Sequence, residues 1–330
     1  MNDSRLSIRN LGKSFNSPVL QGVDLDVAQG EILGVVGENG AGKSTMINIL
    51  TGLLQPDTGE IFLDGEPHTP NSVTAGFNSG VSFAAQELSL IETLSVAENI
   101  ALRQLPQNRN VINRTTLEKT ARRLLDLVGL HEISPDVTVG TLSLAKRQLI
   151  EIAKAIGTNC RVLLLDEPTA SLTADQADHV HSVISQLAAN GTSVVYISHR
   201  LQDVIDITDR VTVLRDGAVV ATSRSDQVTV DQLVSQMTGD VMPDRNERQQ
   251  RKESLLPVLT ASNLSTADLP NAFDLTCHSG EILGVAGLAG AGKSELLQAL
   301  FGLTSKTSGQ VLHRSGDKES QIQSARQAVR

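Results

Sequence analysis

Aromatic side chains are almost missing: the 330 residues include no Trp, one Tyr and six Phe. Any core must be packed from aliphatics, and with 40% of the residues hydrophobic there are enough for one. Basic charge is also in deficit, with 28 Lys and Arg against 37 Asp and Glu and a net charge of −9. A molecule this acidic is no electrostatic match for a polyanion, which sets nucleic acid aside as the expected partner. The two cysteines, Cys160 and Cys277, lie far apart without metal-ligand spacing. They read as ordinary thiols of a reducing compartment. No run of about eighteen apolar residues occurs, so the chain does not itself span a bilayer, and work at a membrane needs a partner that supplies the span. Nor does Met1-Asn2-Asp3-Ser4-Arg5 lead into the apolar stretch of a secretory signal. The length favours two domains.

What is present centres on Gly37-Glu38-Asn39-Gly40-Ala41-Gly42-Lys43-Ser44-Thr45, set between the apolar runs Ile32 to Val36 and Met46 to Leu50. A G-x-x-x-x-G-K-[ST] pattern between a strand and a helix is the context of a phosphate loop. Glycines let successive N–H groups converge on one centre, and the helix start adds its dipole. Lys43 would reach the β- and γ-phosphates, and Ser44 would offer its hydroxyl to Mg²⁺.

Upstream, residues 5–27 alternate apolar and polar around a break at Asn16-Ser17-Pro18, which reads as two strands and a turn. Phe15 sits just before that turn, where it could stack on a purine or pack in the core. Downstream come a strand over Glu60 to Gly65, another at Val81-Ser82-Phe83 ending near Gln86, and helical patterns from about Thr93 to Ile156. Within these, Arg122 and Arg123 read as a solvated face, and Thr141-Leu142-Ser143 as the cap of a long amphipathic helix. The unalternating Val162-Leu163-Leu164-Leu165 suits a strand buried on both faces of a parallel sheet. A helix over 174–189, a buried strand over 193–198, a hairpin at Asp216-Gly217 and a helix to about Met237 complete the first domain, 1–240. Residues 241–257 have linker composition.

Beyond the linker the opening repeats. Ser279-Gly280-Glu281-Ile282-Leu283-Gly284-Val285 echoes Gln29 to Val35, and a second phosphate loop comes next with Gly287, Gly290, Gly292, Lys293 and Ser294. A repeat this close marks duplication of a domain, and 258–330 is expected to be the N-terminal fragment of the second.

Phosphoryl transfer to water needs a metal-holding carboxylate, a group that positions the water and a sensor of the γ-phosphate. Asp166, at the end of a buried strand, is placed for Mg²⁺, and Glu167 is the natural polariser of water. His199 leaves the next strand the same way and reads either as a γ-phosphate contact or as a structural histidine. With Gln86, Leu142-Ser143, Asp166-Glu167-Pro168-Thr169 and Ile197-Ser198-His199 in this order, the chain resembles the nucleotide-binding subunits of ABC transporters. Glu151-Ile152-Ala153-Lys154-Ala155 and Asp166 through Thr173 make it most similar to the tandem-domain ATPases of bacterial monosaccharide importers.

The resemblance implies an α/β P-loop NTPase of ABC type, with a mostly parallel sheet core, an N-terminal antiparallel β subdomain and an inserted α-helical subdomain. It implies ATP and Mg²⁺ as ligands: Phe15 on adenine, Gly37 to Thr45 on the phosphates, Ser44, Gln86 and Asp166 on the metal, Glu167 and His199 in catalysis. Ser143, Leu144, Ala145 and Lys146 would be the signature presented to a second ABC domain or to a second copy of the chain. The implied partners are transmembrane permease subunits and a periplasmic sugar-binding protein, at the cytoplasmic face of the membrane. Two departures stand out: Leu144-Ala145 replaces the family's glycine pair, and Thr173 stands where an aspartate is expected. Because no second Q-loop, signature, Walker B or switch residue comes after Ser294, one isolated chain is expected to hold no complete hydrolytic site. The rival readings are a non-hydrolysing or vestigial nucleotide binder and a soluble tandem ABC protein acting on ribosomes or nucleic acid. Against the latter, the linker is short and the chain acidic.

Overall fold

The computed structural model describes residues 4–102, 107–108, 111–157, 159–239, 256–287, 290–316 and 318–329. The chain forms two compact units, Met1–Met242 and Pro243–Arg330. Of the linker expected over 241–257, residues 241–255 lie outside the described residues, and Pro257 already opens a strand.

In the first unit, β1 (Ser4–Ser14) and β2 (Pro18–Ala28) form a hairpin, followed by β3 (Ile32–Val36) and α1 (Lys43–Leu50). Next come β4 (Thr58–Leu63), β5 (Glu66–Pro67), α2 (Val73–Asn78), β6 (Val81–Ala84) and α3 (Val96–Ala101). After them are β7 (Gln107–Asn108), β8 (Val111–Ile112), α4 (Arg114–Leu127), α5 (Leu144–Ile156), β9 (Val162–Asp166) and α6 (Ala174–Ala189). The unit closes with β10 (Ser193–Ile197), α7 (Leu201–Ile207), β11 (Arg210–Arg215), β12 (Ala218–Arg224) and α8 (Val230–Thr238).

Two sheets result. One is antiparallel in the order β2-β1-β4-β5; the other runs β12-β11-β3-β10-β9-β6. Every pairing of the second is parallel except β11 with β12. Its central strands are covered on both faces, which is why β3, β9 and β10 are aliphatic without alternation. Successive side chains of β9 point to opposite faces. Val162 and Leu164 join a core with Leu6, Ile8, Met46 and Ile47, while Leu163 and Leu165 join one with Ile150, Ile184 and Val194. The observed architecture is the α/β arrangement expected: a mostly parallel core, an antiparallel β layer and helices between β6 and β9.

Several local expectations are corrected. Asp64 and Gly65, assigned to a strand, turn with positive φ instead, at 53° and 81°, to bring β5 back on β4. The short helices α2 and α7 carry no sequence signal, because six or seven residues give too little periodicity to register. The short pair β7 and β8 interrupts the helical stretch. Arg122 is no plain solvated residue: its guanidinium donates to the carbonyls of Leu130 and Ile133 at 2.8 Å each and pairs with Asp126. Ser143 takes the N-cap position of α5 but its hydroxyl makes no capping bond; the helix is amphipathic as expected, yet over residues 148–156 its polar side chains Gln148, Glu151 and Lys154 are buried along with the apolar ones.

The second unit holds β13 (Pro257–Thr266), β14 (Phe273–His278), α9 (Lys293–Phe301), β15 (Lys306–Ser315), β16 (Lys318–Gln321) and α10 (Ala325–Ala328). Its sheet order, β14-β13-β15-β16, repeats that of the first unit's antiparallel sheet. Ile282–Val285, the sequence echo of β3, forms no strand, and Ile282 is 91% exposed. In the first unit β3 is held between β10 and β11. Among the described residues of the second unit no such strands stand beside it.

Candidate functional site

Register brings the site together. Val35 of β3 lies level with Ile197 of β10, Ile197 with Asp166 of β9, and Leu165 of β9 with Ala84 of β6. Four parallel strands thus end at one edge, and the segments just past those ends bring Gly37, Gln86, Glu167 and His199 to one place. The carboxyl edge of a parallel sheet is where such folds bind ligands. A cavity of about 380 Å³ opens there, walled by the loop from Gly37 to Thr45 together with Gln86, Asp166, Glu167, Ser198 and His199.

The loop is shaped by its glycines. A Cβ on Gly37 would stand 2.2 Å from the Leu214 carbonyl oxygen, and one on Gly42 would stand 2.6 Å from Leu20 Cδ2. Gly42 also has φ of 103°, a conformation closed to other residues. As the N-cap of α1 it brings no side chain to the first-turn amides, which leaves them to an external acceptor. Lys43 Nζ crosses the loop mouth and donates to the carbonyls of Gly37 at 2.7 Å and Glu38 at 3.0 Å.

The charges are mutually tuned. Burial holds the Lys43 ammonium below the usual lysine range, opposed by Asp166 and Glu167. Burial, and then the neighbouring Glu167, push the Asp166 carboxyl up, while Lys43 pulls it down. Glu167 has φ of 50°, rare for a residue with a side chain and of the kind that gathers at functional sites. Its amide donates to the Ile197 carbonyl at 2.8 Å, and its Oε2 meets His199 Nδ1 at 2.7 Å.

The donor set suits Mg²⁺. That ion keeps several waters and takes one or two carboxylates plus substrate phosphates, and Ser44, Gln86 and Asp166 line the cavity. Among the described residues no group of three or more His, Cys, Asp or Glu is poised to hold a metal by itself. A larger hollow of about 800 Å³ lies at the opposite end of β3 and β11. Its walls are already paired, Arg210 with Glu31 at 2.6 Å and Arg224 with Asp226 at 3.0 Å, so it offers less to a ligand.

Other expected site residues lie apart. Phe15 is 59% exposed with Lys13 Nζ 5.7 Å from its ring centre, so it is no core residue, and it does not wall the cavity. Ser143, Leu144, Ala145 and Lys146 are likewise not among the walls; Leu144 is exposed and Lys146 pairs with Glu132 at 3.2 Å. In the second unit, Gly290 and Gly292 have φ of 78° and 83°, and Lys293 Nζ donates to the Gly287 carbonyl at 2.6 Å, the same local fold as Lys43 on Gly37. Ser294 comes next in the first turn of α9, and residues 288–289 lie outside the described residues.

Sequence reasoning missed a buried polar network beneath the site. The Tyr196 hydroxyl meets His181 Nε2 at 3.0 Å and Thr169 Oγ1 at 3.2 Å, while Arg200 donates to the Thr169 carbonyl at 3.3 Å. It joins the segment after Glu167 to the one after His199. The signal was the chain's one tyrosine standing in a wholly buried strand.

A phosphate loop, an acidic strand end and a strand-end histidine, levelled by one parallel sheet beside an antiparallel layer, define a P-loop NTPase fold of the ATP-binding cassette kind. The family model described as ABC transporter matches residues 20–170 and 270–330, and the chain belongs to that family. It is 40% identical over 330 residues to a putative ribose/galactose/methyl galactoside import ATP-binding protein of Burkholderia ambifaria, with 98% of this chain and 62% of that protein covered. To the ribose import ATP-binding protein RbsA of a Ruegeria species it is 42% identical, covering 94% of this chain and 61% of that one. The chain therefore spans somewhat over three fifths of these relatives. Its fold is similar to an ATP-binding cassette of an ABC transporter solved in its ADP conformation, with a TM-score of 0.64, 26% identity, and 72% of this chain and 99% of that one covered.

Proposed function

We propose that the first unit binds and hydrolyses ATP and that the chain serves as the energising subunit of an importer for a monosaccharide such as ribose or galactose. The observation that carries this is the convergence of Lys43, Ser44, Gln86, Asp166, Glu167 and His199 on one cavity. In this reading the α1 amides and Lys43 hold the β- and γ-phosphates, and Phe15, exposed at its turn, stacks on the adenine. Ser44, Gln86 and Asp166 would hold Mg²⁺, which would supply charge to offset that developing on the phosphate oxygens. Glu167 accepts a proton from the attacking water, and His199, anchored on Glu167, faces the γ-phosphate. Ser143 and the α5 start are presented outward, to the site of a second ABC domain or a second copy. The second phosphate loop, Gly287 to Ser294, is a further nucleotide contact.

The sugar-import names of the relatives support the coarse substrate class, and the partners it implies are transmembrane permease subunits and a periplasmic sugar-binding protein. Among the described residues no helix is long and apolar enough to cross a membrane. The relatives' import names support a place against the permease, at the cytoplasmic face of the membrane. Binding of a fluorescent ATP analogue and phosphate release, measured for the wild type, Lys43→Ala and Glu167→Gln, test the reading. Binding lost in Lys43→Ala and turnover lost in Glu167→Gln are expected; wild-type affinity in Lys43→Ala overturns it. Binding without turnover, even beside a permease, selects the non-hydrolysing alternative.

A further inference from the structure

Two charges that the proposed chemistry does not use are buried beside the site. Glu151 and Lys154 of α5 are 2% and 5% exposed, and their charged atoms lie 3.6 Å apart. Both reach out to one surface residue, Ser89. Its amide and hydroxyl donate to the two Glu151 oxygens at 3.2 and 2.6 Å, and Lys154 Nζ donates to its carbonyl at 2.8 Å and its hydroxyl oxygen at 2.7 Å. Every polar group of Ser89 is thereby held by a charged side chain.

Burying an ion pair costs desolvation, and a well-packed apolar pair often stabilises a fold as well or better. Its best-attested use is to fix one register. Here the thing fixed is a segment without regular structure, since residues 85–94 form neither helix nor strand. Gln86, three residues before Ser89, walls the nucleotide cavity. Two residues after Ser89, the Ile91 amide donates to Asn99 Oδ1 at 2.7 Å and Asn99 Nδ2 donates to the Ile91 carbonyl at 3.0 Å, a second tether from a wholly buried side chain.

We infer that Ser89, Glu151 and Lys154 are positioning residues that hold Gln86 at the cavity and tie its placement to the helix that opens at Ser143. This rests on the ATP reading, with Gln86 as a metal ligand. Without the clamp, Gln86 hangs from an irregular segment, and the small misplacement that results is felt at the metal.

The test is an Mg²⁺ titration of turnover at fixed ATP for the wild type, Gln86→Ala, Ser89→Ala, the double variant E151L/K154M, and Q86A/S89A. The E151L/K154M pair leaves no lone buried charge and so keeps the fold. Ser89→Ala and E151L/K154M are expected to need more Mg²⁺ and to turn over about tenfold more slowly, as Gln86→Ala does, while ATP affinity holds. Q86A/S89A is expected to be no worse than Gln86→Ala alone, because both changes remove one function. Additive losses, or wild-type Mg²⁺ dependence in folded Ser89→Ala, overturn the inference. Absence of MgATP affinity in the wild type overturns the nucleotide reading and this inference together. Lys43-dependent binding with an unshifted Mg²⁺ profile in Ser89→Ala overturns this inference alone.

Discussion

His199 Nδ1 stands 2.7 Å from Glu167 Oε2, although the two residues leave different strands and 31 positions of sequence separate them. The two form an ion pair whenever the imidazole is protonated. The contact engages Oε2 of the carboxylate, and both residues wall the cavity. Replacing Glu167 by Gln keeps the shape and removes the base, so turnover is expected to fall by about 10²–10⁴-fold with ATP affinity little changed. His199→Ala releases the orienting contact and is expected to cost about 10²-fold in turnover. Steady-state phosphate release beside nucleotide titration checks both. Equal losses of affinity and turnover would mean the pair binds and does not act.

Asp166 carries a second expectation. Burial and Glu167 raise its carboxyl, so the folded state prefers it protonated. That preference stabilises below the unfolded value near 4 and is lost as pH rises through the folded value, so the ionised group strains the fold at neutral pH. Asp166→Asn is expected to raise the melting temperature at pH 7, by about 2–4 °C for each kcal/mol relieved, and the gain is expected to shrink toward pH 4. Mg²⁺-dependent turnover is expected to fall at the same time. A lower melting temperature at pH 7 would show that Lys43 depends on this charge more than burial opposes it.

Much of this was legible in the residues. The phosphate loop, the acidic strand end and the aliphatic strands have local signatures, because backbone curl and two-sided burial dictate residue type directly. Less was legible where distant pieces meet. Nothing near Ser89 announces Glu151 and Lys154, whose pairing depends on how α5 packs beside the segment after β6. Phe15 could be weighed as core or surface only once its turn was placed, and the echo of β3 at Ile282 promised a strand that needs neighbours to form. A strand's partners are not written in the strand.

Two histidines that do not wall the cavity make stability depend on pH. His68 is 4% exposed with Nε2 2.9 Å from the Leu50 carbonyl oxygen, and burial lowers its pKa; burial likewise lowers that of His181, against the pull of Asp203 and Asp178. Depressed folded values mean the neutral rings are favoured. The stabilisation is present above the unfolded value near 6.5 and is lost as pH falls through it toward the folded values. Denaturant unfolding of the first unit is expected to weaken from pH 7 to pH 5, by at most about 1.4 kcal/mol per pH unit for each group. The H68N/H181N variant is expected to flatten that slope; an unchanged slope would assign the loss to other groups.

Tyr196→Phe isolates the buried network. It removes the hydroxyl that His181 and Thr169 share and leaves both without that partner, at an expected cost of about 1–3 kcal/mol. Because the network joins the turns after Glu167 and His199, turnover is expected to fall more than ATP affinity. A variant as stable as the wild type would mean that water replaces the hydroxyl.

The second unit leaves several large apolar side chains uncovered. Ile282, Leu297, Phe301 and Leu303 are 91, 59, 43 and 64% exposed, whereas Ile32 and Ile47, the counterparts of the first two in the repeat, are 5 and 1% exposed. Scattered surface hydrophobics are ordinary, but several on one small unit whose core is six residues make a binding or aggregation surface. The chain is accordingly expected to enhance the fluorescence of a hydrophobic dye and to self-associate as concentration rises. I282S/L297Q is expected to reduce the dye signal by about half without moving the melting transition of the first unit. The amides of 282–285, which belong to no strand, are expected to exchange hydrogen far faster than those of 32–36. Protection of 282–285 in the dilute chain would show that this stretch finds a partner strand in solution, and the dye signal would then have to come from elsewhere.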